Sequence, residues 1–240
     1  MLVVLVPPGV RPPAELERVV HVVEQTLPDV ATLQAVAQRV ASDNAGISVE
    51  DPPAVGNALR GLTASEAEDV CALVAVRDAG VVRAAGVWTE TAATLRNASG
   101  GALQLAKSEG GFERLGGLDA LKTFTRRSVL SAMSRGIIML GVAGAGKTAT
   151  ALALGAEVDL PVYLCDVAAL FGSLVGESEA AAKRLIGALD AAGRCVVLFD
   201  EIEKMFSGMK GGSSGDSGTT QRTTSTVLKW LSDRPAGGAY

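Results

Sequence analysis

The segment GVAGAGKT, residues 141–148, restricts the chain's fold more than any other stretch of comparable length. Its glycines at 141, 144 and 146 open backbone conformations closed to other residues, so successive N–H groups can turn inward around an anion. A loop of this kind belongs between a strand and a helix, because the helix then adds the positive end of its dipole. The apolar run Ile-Ile-Met-Leu at 137–140 is expected to be that strand, and the helix is expected to start at the end of the loop. The pattern G-x-x-x-x-G-K-[ST] is therefore expected to cradle the phosphates of a nucleotide. Gly141, Val142, Ala143, Gly144, Ala145, Gly146, Lys147, Thr148 and Ala149 then form the binding segment. Lys147 is assigned to the β- and γ-phosphates and Thr148 to Mg2+.

A second feature needs the first to explain it. In CVVLFDEIEKMF, residues 195–206, Asp200 and Glu201 follow an unbroken apolar run. Two adjacent carboxylates at the end of a buried strand are costly unless the strand opens onto solvent or a cation. Beside a phosphate loop the pair has two tasks. Asp200 helps to hold the magnesium, and Glu201 faces the attacking water as general base or orienting group. The competing reading is a helix-start acidic pair stabilised by the helix dipole.

Around these segments, apolar strands alternate with helices. Strands are expected at 137–140, 162–165 and 196–199, and helices at about 118–133 and 177–192, with a final helix carrying Val227, Leu228 and Leu231. Such alternation implies a parallel α/β sheet with helices on both faces. The earlier part reads as mostly helical. A short strand is expected at 2–6, helices at 13–25 and 29–41, and a loop in SDNAGISVEDPP. Thr63 and Glu66 have capping-box spacing ahead of a helix whose stripe is Ala67, Val70, Cys71 and Val74. The segments NASGG and KSEGG separate the two parts, giving an N-terminal region over 1–111 and a nucleotide-binding core over 112–240.

Four segments, LGGLDALK (115–122), GVAGAGKTA, LVGESEA (174–180) and VVLFDEIEKMF, occur in the order and spacing of AAA+ ATPases of the AAA subfamily. The resemblance extends to a little-characterised chloroplast and cyanobacterial AAA group whose ATPase is preceded by an α/β region. It implies a P-loop NTPase fold of AAA+ type, with a smaller, mostly helical α/β N-terminal region. It also implies ATP and Mg2+ as ligands, Lys147 and Glu201 in catalysis, and Gly116 and Gly117 near the adenine base. A ring-shaped homo-oligomer that remodels a protein partner by ATP hydrolysis follows from the same likeness. Leu174 stands where the family often has a pore-loop aromatic. The family's sensor strand, arginine fingers and helical lid are expected beyond the last residue, so the chain is read as C-terminally truncated, binding ATP with little turnover. A nucleotide-dependent regulatory module is the alternative.

Composition narrows the remaining classes. A net charge of −4 provides no basic stripe, which weighs against a nucleic-acid partner. Three cysteines without C-x-x-C spacing, and His21 as the single histidine, offer no zinc site; the thiols are expected in the core of a cytoplasmic protein. No stretch is long and apolar enough to span a membrane.

Overall fold

The computed structural model describes residues 15, 19, 26–106, 110–131, 134, 136–142, 144–170, 177–200, 202 and 217–233. The strand expected at 2–6 and the helix expected at 13–25 lie outside these residues, apart from isolated positions.

Asp29 starts the first helix, α1 (Val30–Asp43), by accepting a hydrogen bond from the Thr32 N–H at 2.8 Å. Hydrogen bonds from the Thr32 side chain and then from its N–H hold the Asp29 carboxyl below its ordinary range. Leu33, Val36 and Ala37, spaced one helical turn apart, form its buried face. A short strand β1 (Ser48–Val49) falls within the segment expected as a loop, and helix α2 (Pro52–Ala58) begins at its end. Helix α3 (Ala64–Arg77) begins with the capping box read from the sequence: Thr63 accepts from the Glu66 N–H, and the Glu66 carboxylate accepts from the Thr63 N–H. Strand β2 (Val81–Val82) pairs in parallel with β1, and helix α4 (Ala84–Ala98) follows. Leu33, Val55, Leu59, Leu62, Val74, Val82 and Val87 meet in one core.

The second core is built on a three-stranded sheet in the order β3–β4–β5. Strand β3 (Leu103–Ala106) runs antiparallel to β4 (Val162–Cys165), and β4 runs parallel to β5 (Val196–Phe199). Helices α5 (Asp119–Leu130) and α6 (Lys147–Glu157) precede β4; α7 (Glu177–Ala192) joins β4 to β5; α8 (Ser217–Asp233) follows. Alternation along β4 sends Tyr163 and Cys165 to one face, against Leu185 and Leu189 of α7, Leu95 of α4 and Val227 of α8. Val162 points to the other face, where Gly155 lets the α6 backbone approach closely. The α/β layering expected from the sequence is present, with helices on both faces of the sheet and a parallel β4–β5 pair.

Two details differ from expectation. The antiparallel edge strand β3 lies between the two segments read as punctuation, NASGG and KSEGG, in residues given no element from the sequence, although Leu-Gln-Leu-Ala has strand alternation. Residues 137–140, expected as a strand, have no regular secondary structure, and Ile138 and Leu140 are 85% and 91% exposed. A strand persists only through a neighbour's hydrogen-bond ladder. Both edges of β4 are taken by β3 and β5, and no described strand pairs with 137–140.

Candidate functional site

The phosphate-type loop enters α6 through two left-handed glycines, Gly144 at φ 78° and Gly146 at φ 82°, the second being the residue that starts the helix. A side chain at either position would strain the turn, whereas the space around both is open. Lys147 begins the helix, and its Nζ donates to the carbonyls of Gly141 at 2.8 Å and Val142 at 3.0 Å, folding the ammonium over the loop. A backbone bond from Ala145 N–H to the Val142 carbonyl tightens the turn. Gly141, Val142, Thr148 and Ala149 are exposed, and Thr150 turns into the core. The amino end of α6 thus gathers backbone amides, an ammonium and an exposed threonine, Thr148, within one short stretch.

Asp200 stands exposed just past β5. Helix α6 packs on both β4 and β5, with Gly155, near its carboxyl end, against Val162, the first residue of β4. Asp200 directly follows β5, one of the two strands on which the helix begun by Lys147 packs. Ala143 and Glu201 lie outside the described residues.

Gly116 and Gly117 are exposed, in a turn between a short 3-10 helix at Phe112–Arg114 and α5. Leu118 closes this turn at φ 61°, a left-handed conformation that costs a leucine about 1 kcal/mol or more. Phe112, Val129, Ala153 and Leu154 form a small core beneath the turn, with Leu115 packed against it. The Arg126 guanidinium lies 5.6 Å from the Phe112 ring centroid and is paired with Glu157 at the end of α6. Neither Arg126 nor Glu157 was legible as a site residue, because the contact spans separate helices.

The donor set suits a nucleotide triphosphate with a hard divalent cation. Backbone amides and an ammonium match phosphate oxygens, while a hydroxyl and a carboxylate are the oxygen ligands that Mg2+ prefers. The cysteines offer no competing chemistry. All three are buried and outside any disulfide, and burial pushes the thiols of Cys71 and Cys165 up to about 11 and about 12. Among the described residues, no helix is long and apolar enough to cross a membrane.

Comparison with known proteins agrees with this geometry. Residues 137–237 match the family described as ATPase family associated with various cellular activities (AAA). An uncharacterized AAA domain-containing protein ycf46 from Pyropia yezoensis is 37% identical over 132 residues, 51% of this chain and 26% of that protein. Its counterpart in Trieres chinensis is 35% identical over 130 residues, 50% of this chain and 26% of that protein. The peroxisomal ATPase PEX6 of Kluyveromyces lactis is 34% identical over 104 residues, 43% of this chain and 10% of that protein. The chain thus spans about a quarter of the length of the ycf46 relatives. Residues 137–237 match an AAA domain, and over about half of its length the chain is similar to the ycf46 AAA domain-containing proteins.

Proposed function

We propose that this chain binds ATP at residues 141–149 with little turnover on its own, and that in a larger, full-length assembly ATP hydrolysis remodels a protein partner. The observation that supports the reading is the left-handed turn at Gly144 and Gly146 that leads into Lys147 at the start of α6, a helix packed on β5, the strand that ends just before Asp200. Amides of Gly141, Val142, Ala143, Gly144, Ala145 and Gly146 hold phosphate oxygens, with Ala149 lining the first turn of the helix. Lys147 exchanges its two carbonyl acceptors for the β- and γ-phosphates. Thr148 and Asp200 hold Mg2+, which supplies charge neutralisation at the phosphates. Gly116 and Gly117 approach the adenine base, where the absence of side chains leaves the turn open. Glu201, next to Asp200 in the sequence, accepts a proton from water as it attacks the terminal phosphorus, and ADP leaves.

The region over 112–240, together with β3 and part of α4 that pack into its core, is proposed as the motor, active as a ring of identical subunits in the cytoplasm. Leu174, where related proteins often have an aromatic, favours the alternative of a nucleotide-dependent regulatory module.

Calorimetric titration with ATP and Mg2+ tests the binding site. Lys147→Ala is expected to lower affinity at least a hundredfold, on the order of 3 kcal/mol. Glu201→Gln is expected to retain ATP and lose turnover in a phosphate-release assay. Unaltered affinity in the first variant, or unaltered hydrolysis in the second, removes that residue from its role.

A further inference from the structure

The Gly116–Leu118 turn has no packing of its own. An added Cβ at Gly116 or Gly117 would meet nothing within 4 Å, and Leu118 is 45% exposed in a left-handed conformation. Its position must therefore be imposed from its flanks. Upstream, Phe112 is 5% exposed and packs with Leu154 of α6, and Leu115 packs beside it. Downstream, the Lys122 Nζ donates to the Leu115 carbonyl at 2.5 Å, closing the turn onto α5.

One side chain ties both flanks to the helix that starts at Lys147. Arg126 of α5 lies over the Phe112 ring at 5.6 Å and is bonded to the Glu157 carboxylate in the last turn of α6. The main chain at Gly111 passes so close that a Cβ there would lie 3.1 Å from Glu157 Oε2. The Gly111 N–H in turn donates to Glu113 Oε1 at 2.8 Å, fixing the entry to the 3-10 helix. The guanidinium thus joins the approach to the turn, α5 and the end of α6.

We infer that Arg126, through Phe112 and Glu157, is a positioning residue that sets the base-contacting turn at Gly116–Leu118 relative to the phosphate loop. The inference rests on the nucleotide reading proposed above. It separates two parts of ATP recognition: the loop and Lys147 hold the triphosphate, while the Arg126 clamp determines whether the base meets its turn. Small displacements of a positioned group have large effects on affinity because contacts are lost while ordering costs persist.

The separating probe is inorganic tripolyphosphate, which carries the phosphates without the base. With Mg2+ present, Arg126→Met is expected to weaken ATP about tenfold while leaving tripolyphosphate affinity unchanged. Arg126→Lys retains a cation for the ring and for Glu157 and is expected to recover most of the ATP affinity. Phe112→Leu keeps the small core apolar and removes the ring face; it is expected to give the same ATP-selective loss even if Arg126→Met proves poorly folded. Equal losses for ATP and tripolyphosphate in folded variants, or no loss of ATP affinity, overturn the positioning role. A wild-type chain that binds neither ligand instead overturns the nucleotide reading itself.

Discussion

At the scale of single residues, the chemistry depends on a few backbone and protonation states. Gly144 and Gly146 hold left-handed conformations that let the loop turn into α6, and that requirement is visible in the spacing of the glycines alone. The capping box at Thr63 and Glu66 is equally local, since donor and acceptor lie within one helical turn. The buried thiols carry a pH dependence. Cys71 and Cys165 titrate near 9 when exposed but are pushed up to about 11 and about 12 in the fold. Below pH 9 both are protonated folded or unfolded, so they add no slope. Above it the unfolded chain releases protons that the native chain keeps, so stability falls as pH rises toward 11–12. Urea midpoints under reducing conditions at several alkaline pH values should fall more steeply for wild type than for Cys165→Ala. Identical slopes would mean that Cys165 is not the desolvated group described.

Elements meet where one small residue permits it. A Cβ on Gly155 would come within 2.1 Å of Val162 Cγ2 and 3.0 Å of the Leu160 carbonyl. Gly155→Ala gains about 1 kcal/mol of helix propensity but forces α6 off the sheet, an overpacking cost of roughly 1–3 kcal/mol. The expected result is net destabilisation in denaturant titration. It should be relieved in the double variant with Val162→Ala, whose combined loss should be smaller than the sum of the single losses. Simple additivity would show that α6 accommodates the extra methyl elsewhere. Helix–sheet contacts of this kind explain why part of the architecture was legible. The strands at 162–165 and 196–199 were readable because a buried strand needs an apolar run whatever its neighbour. The run at 137–140 has the same composition without a ladder partner among the described strands, so composition alone misread it. The converse case is β3, whose four residues became a strand because the edge of β4 was open to pairing.

At the scale of the whole molecule, α4 belongs to both cores. Val87 packs with Val74 and Val82 in the first, while Ala92 and Leu95 pack with Leu185 and Leu189 in the second. Trp88 packs against the first core and Trp230 against the second, its Nε1 donating to Asp190 at 2.8 Å. Single-tryptophan variants, Trp88→Phe and Trp230→Phe, therefore report the two cores separately. Their unfolding transitions are expected to coincide, and Leu95→Ala, costing about 2–5 kcal/mol, should shift both together. A shift confined to the Trp230 signal would show that α4 does not couple the cores.

The sequence alone determined the glycine turn into α6 and the α/β pattern around it, because each depends on residues close along the chain or on burial that any partner satisfies. Only the tertiary structure decided which apolar run gained a ladder, that α4 and β3 enter the second core, and that Arg126 meets Phe112 and Glu157. Those outcomes depend on which surfaces come together in space, and a hydrogen-bond ladder or a stacked guanidinium has no signature in either partner taken singly.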